Sequence, residues 1–274
     1  MLQSAAEPGV PADFEVFRRR AYTITGLDLT SYKAPQMHRR LCALLTRLNV
    51  VGFAAYARLL ENDAERRQEF RDYVTINVSE FFRDSDRFAD FERRVLPELL
   101  ANSANVRVWS AGCSIGAEPY SLAILLHELG PSRKHRILAT DVDQTIIDRA
   151  KAGTGYLAAD IRNVGSARMK RWFVAEPNGR YSVGPTLRGM IRFAKHDLLR
   201  DEHPAGPFDL IACRNVVIYF TEAAKDRIFE GFVSALRPGG VLFVGGTEAI
   251  MRPQLFGLSV MSPGFYRKDT VGGR

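Results

Sequence analysis

Four apolar runs in this 274-residue chain end on small or charged residues that could hold a ligand. Residues 106–111 (VRVWSA) lead into Gly112-Cys-Ser-Ile-Gly116-Ala-Glu118, and 136–141 (RILATD) end on Asp141. Residues 190–197 (MIRFAKHD) end on Asp197, and 208–215 (FDLIACRN) end on Arg214 and Asn215. Gly112 and Gly116 let the backbone come close to a ligand, because no Cβ intrudes. Asp141 follows Gly116 by 25 residues, the placement of an acid that grips ribose hydroxyls in nucleotide-binding sheets. Its two acceptor oxygens match the 2′ and 3′ hydroxyl donors. Asp143 is the rival, but its place suits the cap of the next helix. Asp197 could accept the adenine amino hydrogens or be a solvated loop acid. Asn215 stands where the transferring group would lie. The Gly-x-Gly-x-x-Gly pyrophosphate fingerprint is missing. That favours a nucleoside without a diphosphate, S-adenosylmethionine over NAD, against the plain alternative of a tight glycine turn.

Gly112-Cys-Ser-Ile-Gly116 is also a literal Gly-x-Ser-x-Gly, the local pattern of a hydrolase nucleophile elbow. Here it follows the first strand rather than a later one, and no His-Gly-Gly oxyanion motif precedes it. His196 and His203 come too early to complete a triad on a late loop, so a hydrolase is not expected. His38, His127, His135, His196 and His203 show no metal-ligand spacing, and no metal is expected.

Positioning these residues requires strands alternating with helices, hence a mostly parallel sheet covered on both faces. Helices are expected over 87–100, 119–129, 144–151 and 223–236. Arg237-Pro-Gly-Gly240 reads as a turn into a fifth strand, 241–246. The stretch 152–190 is too long for an ordinary connection. KRWFV and GRYSV flank a turn at Pro177–Gly179, which predicts an inserted antiparallel hairpin. From Asp13 to about Tyr73 the apolar spacing is helical, with Leu41, Leu44, Leu45 and Leu48 at i, i+3, i+4 and i+7. The expected organisation is a loose segment 1–12, a helical domain 13–75 and an α/β domain 76–274.

Hydrophobic residues at 46% and charged residues at 25% are those of a globular chain. Cys42, Cys113 and Cys213 form no Cys-x-x-Cys pair, which argues against a disulfide scaffold or zinc ribbon and for a reducing cytoplasm. No apolar run reaches the ~20 residues of a membrane span, and no signal peptide is recognisable. Of the net charge of +7, a net +6 falls between Phe14 and Leu60, where Arg18, Arg19, Arg20, Lys33, Arg39, Arg40, Arg47 and Arg58 face only Glu15 and Asp28. Such a segment suits an acidic partner or is simply a solvated helical face.

Four blocks together resemble one family, the chemotaxis receptor methyltransferases (CheR): Asn77-Val-Ser-Glu-Phe-Phe-Arg83, Trp109–Ser121, Ala139-Thr-Asp-Val-Asp143 and Cys213-Arg-Asn-Val-Val-Ile-Tyr-Phe220. Leu236–Glu248 also fits. The resemblance implies a Rossmann-like S-adenosylmethionine-dependent methyltransferase sheet, a small N-terminal all-helical domain that recognises the receptor, and an inserted antiparallel β-subdomain. It implies γ-methyl esters formed on glutamates of the cytoplasmic helical bundle of chemoreceptors, with S-adenosylhomocysteine as product. The cofactor residues it implies are Asn77, Ser79, Arg83, Glu118, Asp141, Asp197, Leu198, Arg214 and Asn215. Arg83 would clamp the methionine carboxylate or pair with Glu118. Glu118 would meet the methionine ammonium or a ribose hydroxyl. Phe81 and Phe82 are expected to pack a domain junction. Ser79 stands where threonine is common, Asp197 where asparagine is frequent, and Ala117 where a second acid is usual.

A glutamate carboxylate is already ionised at neutral pH, with a reference pKa of about 4.3, so alignment and desolvation suffice without a general base. Arg83 and Tyr219 are the groups expected near the acceptor. The expected protein is a cytoplasmic monomer that neither enters the membrane nor binds nucleic acid. The alternatives are an RNA, DNA or other protein methyltransferase, or a silent cofactor-binding adaptor. Asn/Asp-Pro-Pro-Tyr, common in base methylation, is replaced by Arg214-Asn-Val-Val. The turn at 175–180 holds one glycine, from which no need for a receptor tethering peptide is expected.

Overall fold

The computed structural model describes residues 10–75 and 79–270, which fall into two units. The smaller takes residues up to 76 together with 219–226, and the larger takes 77–218 and everything from 227 on.

The smaller unit contains helices α1 (Ala12–Thr25), α2 (Ala34–Arg47), α3 (Phe53–Asn62) and α4 (Ala64–Thr75). Helical spacing turns Phe14, Phe17, Phe53, Tyr56 and Phe70 inward, where neighbouring rings stand 4.9–6.0 Å apart. Buried Arg18 donates to the carbonyls of Leu29, Thr30 and Tyr32 and pairs with Glu15 at 2.6 Å. Arg20 pairs with Glu61, Arg47 lies 3.3 Å from Glu69, and Arg40 donates to the Tyr73 carbonyl at 2.5 Å. The basic segment is thus partly internal scaffolding, while Arg19, Arg39 and Arg58 remain exposed. Residues 219–221 join this unit by strand-like bonds: Lys33 N–H to the Tyr219 carbonyl and Thr221 N–H to the Ser31 carbonyl, both 2.9 Å.

In the larger unit the chain enters through α5 (Ser85–Asp90), a π-helical segment Phe91–Val95, and α6 (Leu96–Asn102). The strands are β1 (Arg107–Ala111), β2 (Arg136–Asp141), β3 (Phe173–Ala175), β4 (Tyr181–Val183), β5 (Ile191–Lys195), β6 (Phe208–Cys213), β7 (Leu236–Val244), β8 (Leu258–Ser262) and β9 (Phe265–Lys268). Helices α7 (Ala117–Leu129), α8 (Gln144–Ala152), α9 (Ser166–Trp172), α10 (Pro185–Arg188) and α11 (Glu222–Ala235, whose residues up to 226 count with the smaller unit) connect them. The main sheet runs β5-β2-β1-β6-β7-β9-β8. Pairs β5·β2, β2·β1, β1·β6 and β6·β7 are parallel, and β7·β9 and β9·β8 antiparallel. All six residues of β6 are buried, as a central parallel strand covered on both faces demands. Strand order turns back between β1 and β6, so their carboxyl ends open the crevice where such sheets bind ligands.

One expectation needs correction. Arg237-Pro-Gly-Gly240 is not a turn; it lies within β7, which begins at Leu236 and carries a register shift opposite Phe208 and Leu210. The β8–β9 hairpin was not predicted, although it extends the sheet at its antiparallel edge. The insertion does contain the antiparallel pair β3·β4, with Val174 opposite Ser182, flanked by α9 and α10. Phe81 and Phe82 are buried within the larger unit, Phe81 against Tyr120, Tyr156 and Phe173, and Phe82 against Phe88.

Candidate active site

The loop after β1 is drawn over the end of β2 by backbone bonds. Gly112 and Cys113 N–H both donate to the Thr140 carbonyl, at 2.8 and 2.9 Å. Gly112 has φ +78°, and a Cβ there would stand 2.5 Å from a Val216 methyl. Only glycine lets the loops after β1 and β6 touch. Ser114, also left-handed at φ 49°, directs its N–H to Asp141 Oδ2 at 2.9 Å.

Asp141 is buried at the end of β2, and its other oxygen accepts the Asp143 N–H at 3.2 Å. With backbone donors from Ser114, Asp143 and Val142, a carboxylate of about four lone-pair sites still has acceptor capacity for a ligand hydroxyl. Asp143 caps α8 instead, its Oδ1 accepting the Thr145 N–H at 2.9 Å. The end of β5 is tied to the same place by the His196 N–H, which donates to the Asp141 carbonyl at 2.9 Å. Asp197 follows, half-buried, with Oδ1 accepting the Leu199 N–H at 2.9 Å; Leu198 is half-buried beside it.

Glu118, in the first turn of α7, accepts from Ser110 Oγ at 2.7 Å, and its other oxygen lies 3.6 Å from Arg214 Nη1. Arg214 is thus one cation facing Glu118, and Arg83 also acts on its charge. Arg214 Nη2 donates to the Arg83 carbonyl at 2.7 Å and to Asp84 at 2.8 Å, and the guanidinium lies over the rings of Phe88 and Phe243. Both terminal nitrogens of Arg214 are therefore engaged by Arg83, Asp84 and Glu118, while its Nε is buried without a partner. Burial raises the carboxyl pKa of Glu118, Asp141 and Asp197; Arg214 and Ser110 oppose the rise at Glu118, and backbone N–H donors oppose it at Asp141.

Asn215, at φ 60°, leaves its buried Oδ1 without a partner, and Ser114 Oγ is orphaned likewise. Buried polar atoms are normally satisfied. Two orphaned acceptors, under-compensated carboxylates and a loop with glycines at 112 and 116 suit a ligand bearing positive charge, hydroxyls and an amine, and S-adenosylmethionine is such a molecule. Among the described residues no group of three or more His, Cys, Asp and Glu could hold a metal ion.

Ser114 has no histidine partner; His196 and His203 instead pack edge-on against Trp109, at 5.6 and 5.4 Å. Asn77 lies outside the described residues, and Ser79 is half-buried. Tyr219 belongs to the smaller unit, with Arg40 6.0 Å from its ring. Sequence reasoning missed Glu248 as a site residue. Its buried carboxylate accepts the N–H groups of Asn215, Val216, Ile218 and Gly245. Its one legible signal is an acid shortly after the Gly245-Gly246 pair that ends the fifth apolar run.

Comparison with known proteins shows the family. Residues 12–75 match the family model described as CheR methyltransferase, all-alpha domain, and residues 77–264 match CheR methyltransferase, SAM binding domain. A chemotaxis protein methyltransferase of Listeria innocua is 41% identical over 95% of this chain and 99% of its own length. Chemotaxis protein methyltransferase 1 of Pseudomonas aeruginosa is 35% identical over 92% and 96%.

Proposed function

The chain belongs to the CheR family of S-adenosylmethionine-dependent chemotaxis methyltransferases, and from that premise we propose that it esterifies glutamate side chains of chemoreceptors. The acceptor is the cytoplasmic helical bundle of a methyl-accepting receptor, and the enzyme works in the cytoplasm as a monomer. No helix among the described residues is long and apolar enough to cross a membrane. When bound, the cofactor supplies a methyl group on a sulfonium, already activated for attack by a carboxylate.

The residues of the chain then bind and orient. Asp141 accepts the ribose hydroxyls with the acceptor capacity that its backbone donors leave. Glu118, held by Ser110 and Arg214, takes the methionine ammonium. Asp197 and Leu198 border the adenine, and Asn77, Ser79 and Arg83 complete the methionine end. Asn215 and the Arg214 backbone close the side from which the acceptor arrives, with Tyr219 next along the chain. The observation that carries this reading is Asn215 Oδ1, buried without a partner and adjacent in the chain to Val216, which meets Gly112. No proton needs to be removed from an ionised carboxylate, so proximity and desolvation do the chemical work.

The helical unit recognises the receptor through its exposed arginines, Arg39 foremost. A transfer assay with radiolabelled methyl tests the reading, using receptor cytoplasmic fragments with RNA as control. Label on the receptor that is released by mild base is the expected result. Label on RNA, or base-stable label on the receptor, would overturn it, and a chain that binds cofactor without transferring would be an adaptor.

A further inference from the structure

Glu248 belongs to none of the cofactor residues above, yet its carboxylate accepts four backbone N–H groups. Oε2 accepts Asn215 N–H at 2.5 Å and Gly245 N–H at 2.8 Å. Oε1 accepts Val216 N–H at 2.8 Å and Ile218 N–H at 3.3 Å. The side chain is buried at 5% exposure. The turn that carries it folds back on itself, with Glu248 N–H donating to the Gly245 carbonyl at 3.0 Å. A Cβ on Gly245 would stand 2.5 Å from Glu248 Oε2 and 3.0 Å from Asn215 N, so the glycine is what admits the carboxylate.

The chain leaves β6 with no strand partner for the amides of 215, 216 and 218. Amides withdrawn from water and left unpaired would be destabilising. Successive N–H groups converging on one point form an anion-binding nest, and here the anion is supplied by residue 248 of the same chain. Asn215 stands at φ 60°, a left-handed conformation that asparagine enters more readily than most residues with a Cβ.

We propose that Glu248 is a positioning residue: its carboxylate fills the nest of residues 215–218 and thereby sets Asn215 against the cofactor. The proposal rests on the reading of Asn215 as a cofactor contact, so the test reads the loop and the cofactor separately. The full-length protein carrying Glu248→Gln is compared with the unaltered chain. Amide exchange at 215, 216, 218 and 245 is followed by NMR, and S-adenosylhomocysteine affinity by calorimetry. A glutamine sets an NH2 group against two of the four donors. Those four amides should exchange at least about tenfold faster while Trp109 in β1 keeps its protection, and the Kd should rise about tenfold, the equivalent of 1.4 kcal/mol. Asn215→Ala should raise the Kd by a similar factor, and adding Glu248→Gln to it should raise it little further.

Amides that stay protected in Glu248→Gln would overturn the proposal, as would freed amides with unchanged affinity. An Asn215→Ala chain of unchanged affinity would instead overturn the reading of Asn215, leaving Glu248 to be judged by its own Kd. If Glu248→Gln does not fold, Gly245→Ala is read by the same two measurements, with the same expected and overturning results.

Discussion

Arg214 Nη1 stands 3.6 Å from Glu118 Oε2, and the two side chains keep 2% and 12% of their exposure. Burial lowers the pKa of the one and raises that of the other, so each charge depends on its partner. Removing one partner from a buried pair leaves the other uncompensated, at about 3–5 kcal/mol. Arg214→Met should therefore lower the urea-unfolding free energy by about 3 kcal/mol, and the double variant with Glu118→Met should recover part of it. A single variant as stable as the unaltered chain would show that the pair contributes nothing.

Asp141 and Asp143 separate by what they hold. Asp141→Ala should weaken S-adenosylhomocysteine by about 1–3 kcal/mol, the cost of losing a partner to buried ligand groups. Asp143→Ala removes the α8 cap and should cost about 1 kcal/mol of stability with affinity retained. Calorimetry and thermal melting of the two variants decide this, and the opposite pattern would exchange their roles.

His203 packs 5.4 Å from both Trp109 and Phe232 and 5.8 Å from His196. Burial, and then the neighbouring His196, push its pKa down from 6.5 to about 4. Between these two values the unfolded chain binds more protons than the folded one, so stability falls as pH falls through this window and levels off below it. His203→Phe keeps an aromatic ring and removes the titration. Its Tm should decline less steeply from pH 6.5 to 4 than that of the unaltered chain, and parallel declines would refute the assignment.

Arg39 is exposed on α2, whereas Arg40 donates to the Tyr73 carbonyl and lies over the Tyr73 ring at 5.2 Å. Arg39→Ala should raise the KM for receptor without moving Tm, and the rise should shrink at high salt, where screening acts over about 8–10 Å. Arg40→Ala should lower Tm. A salt-independent effect of Arg39→Ala would assign that residue to the fold.

The hairpin β3–β4 offers little free edge. Tyr156 already exchanges both backbone bonds with Tyr181 on the far side of β4, at 3.0 and 2.9 Å. Glu176 ties the tip, accepting from Gly155 N–H at 3.1 Å and from the Ser182 hydroxyl. Only the three-residue edge of β3 is left for strand addition. Receptors lacking a C-terminal tethering peptide should be methylated at the same rate as complete ones. A micromolar complex with the free peptide, lost when 175–180 is altered, would contradict this.

The strand ends were legible because each apolar run stops where the backbone leaves the sheet. Asp141, Asp197 and Asn215 mark those stops, and an apolar run with a polar terminus has a one-dimensional signature. The helices of 144–151 and 223–236 were legible within a residue or two for the same reason: periodicity and caps are local. The β8–β9 hairpin was not, since Ser259, Val260 and Ser262 form a weak pattern stabilised by pairing with β9. Nor was β7's early start, where pairing of Leu236 with Phe208 overrides the turn preference of Pro-Gly-Gly.

Sequence by itself determined which residues occupy the carboxyl ends of the strands, because side-chain polarity and its spacing are properties of the linear chain. Only the tertiary structure decided what those residues spend their hydrogen bonds on. Arg214 faces Glu118 and Asp84 rather than standing free, and Asp143 serves a helix cap while Asp141 keeps open acceptors. Glu248, 30 residues beyond Ile218, fills a nest of backbone N–H groups. Every residue but proline carries such an N–H, so no residue type announces a nest. It exists only when the fold turns several of those groups toward one point.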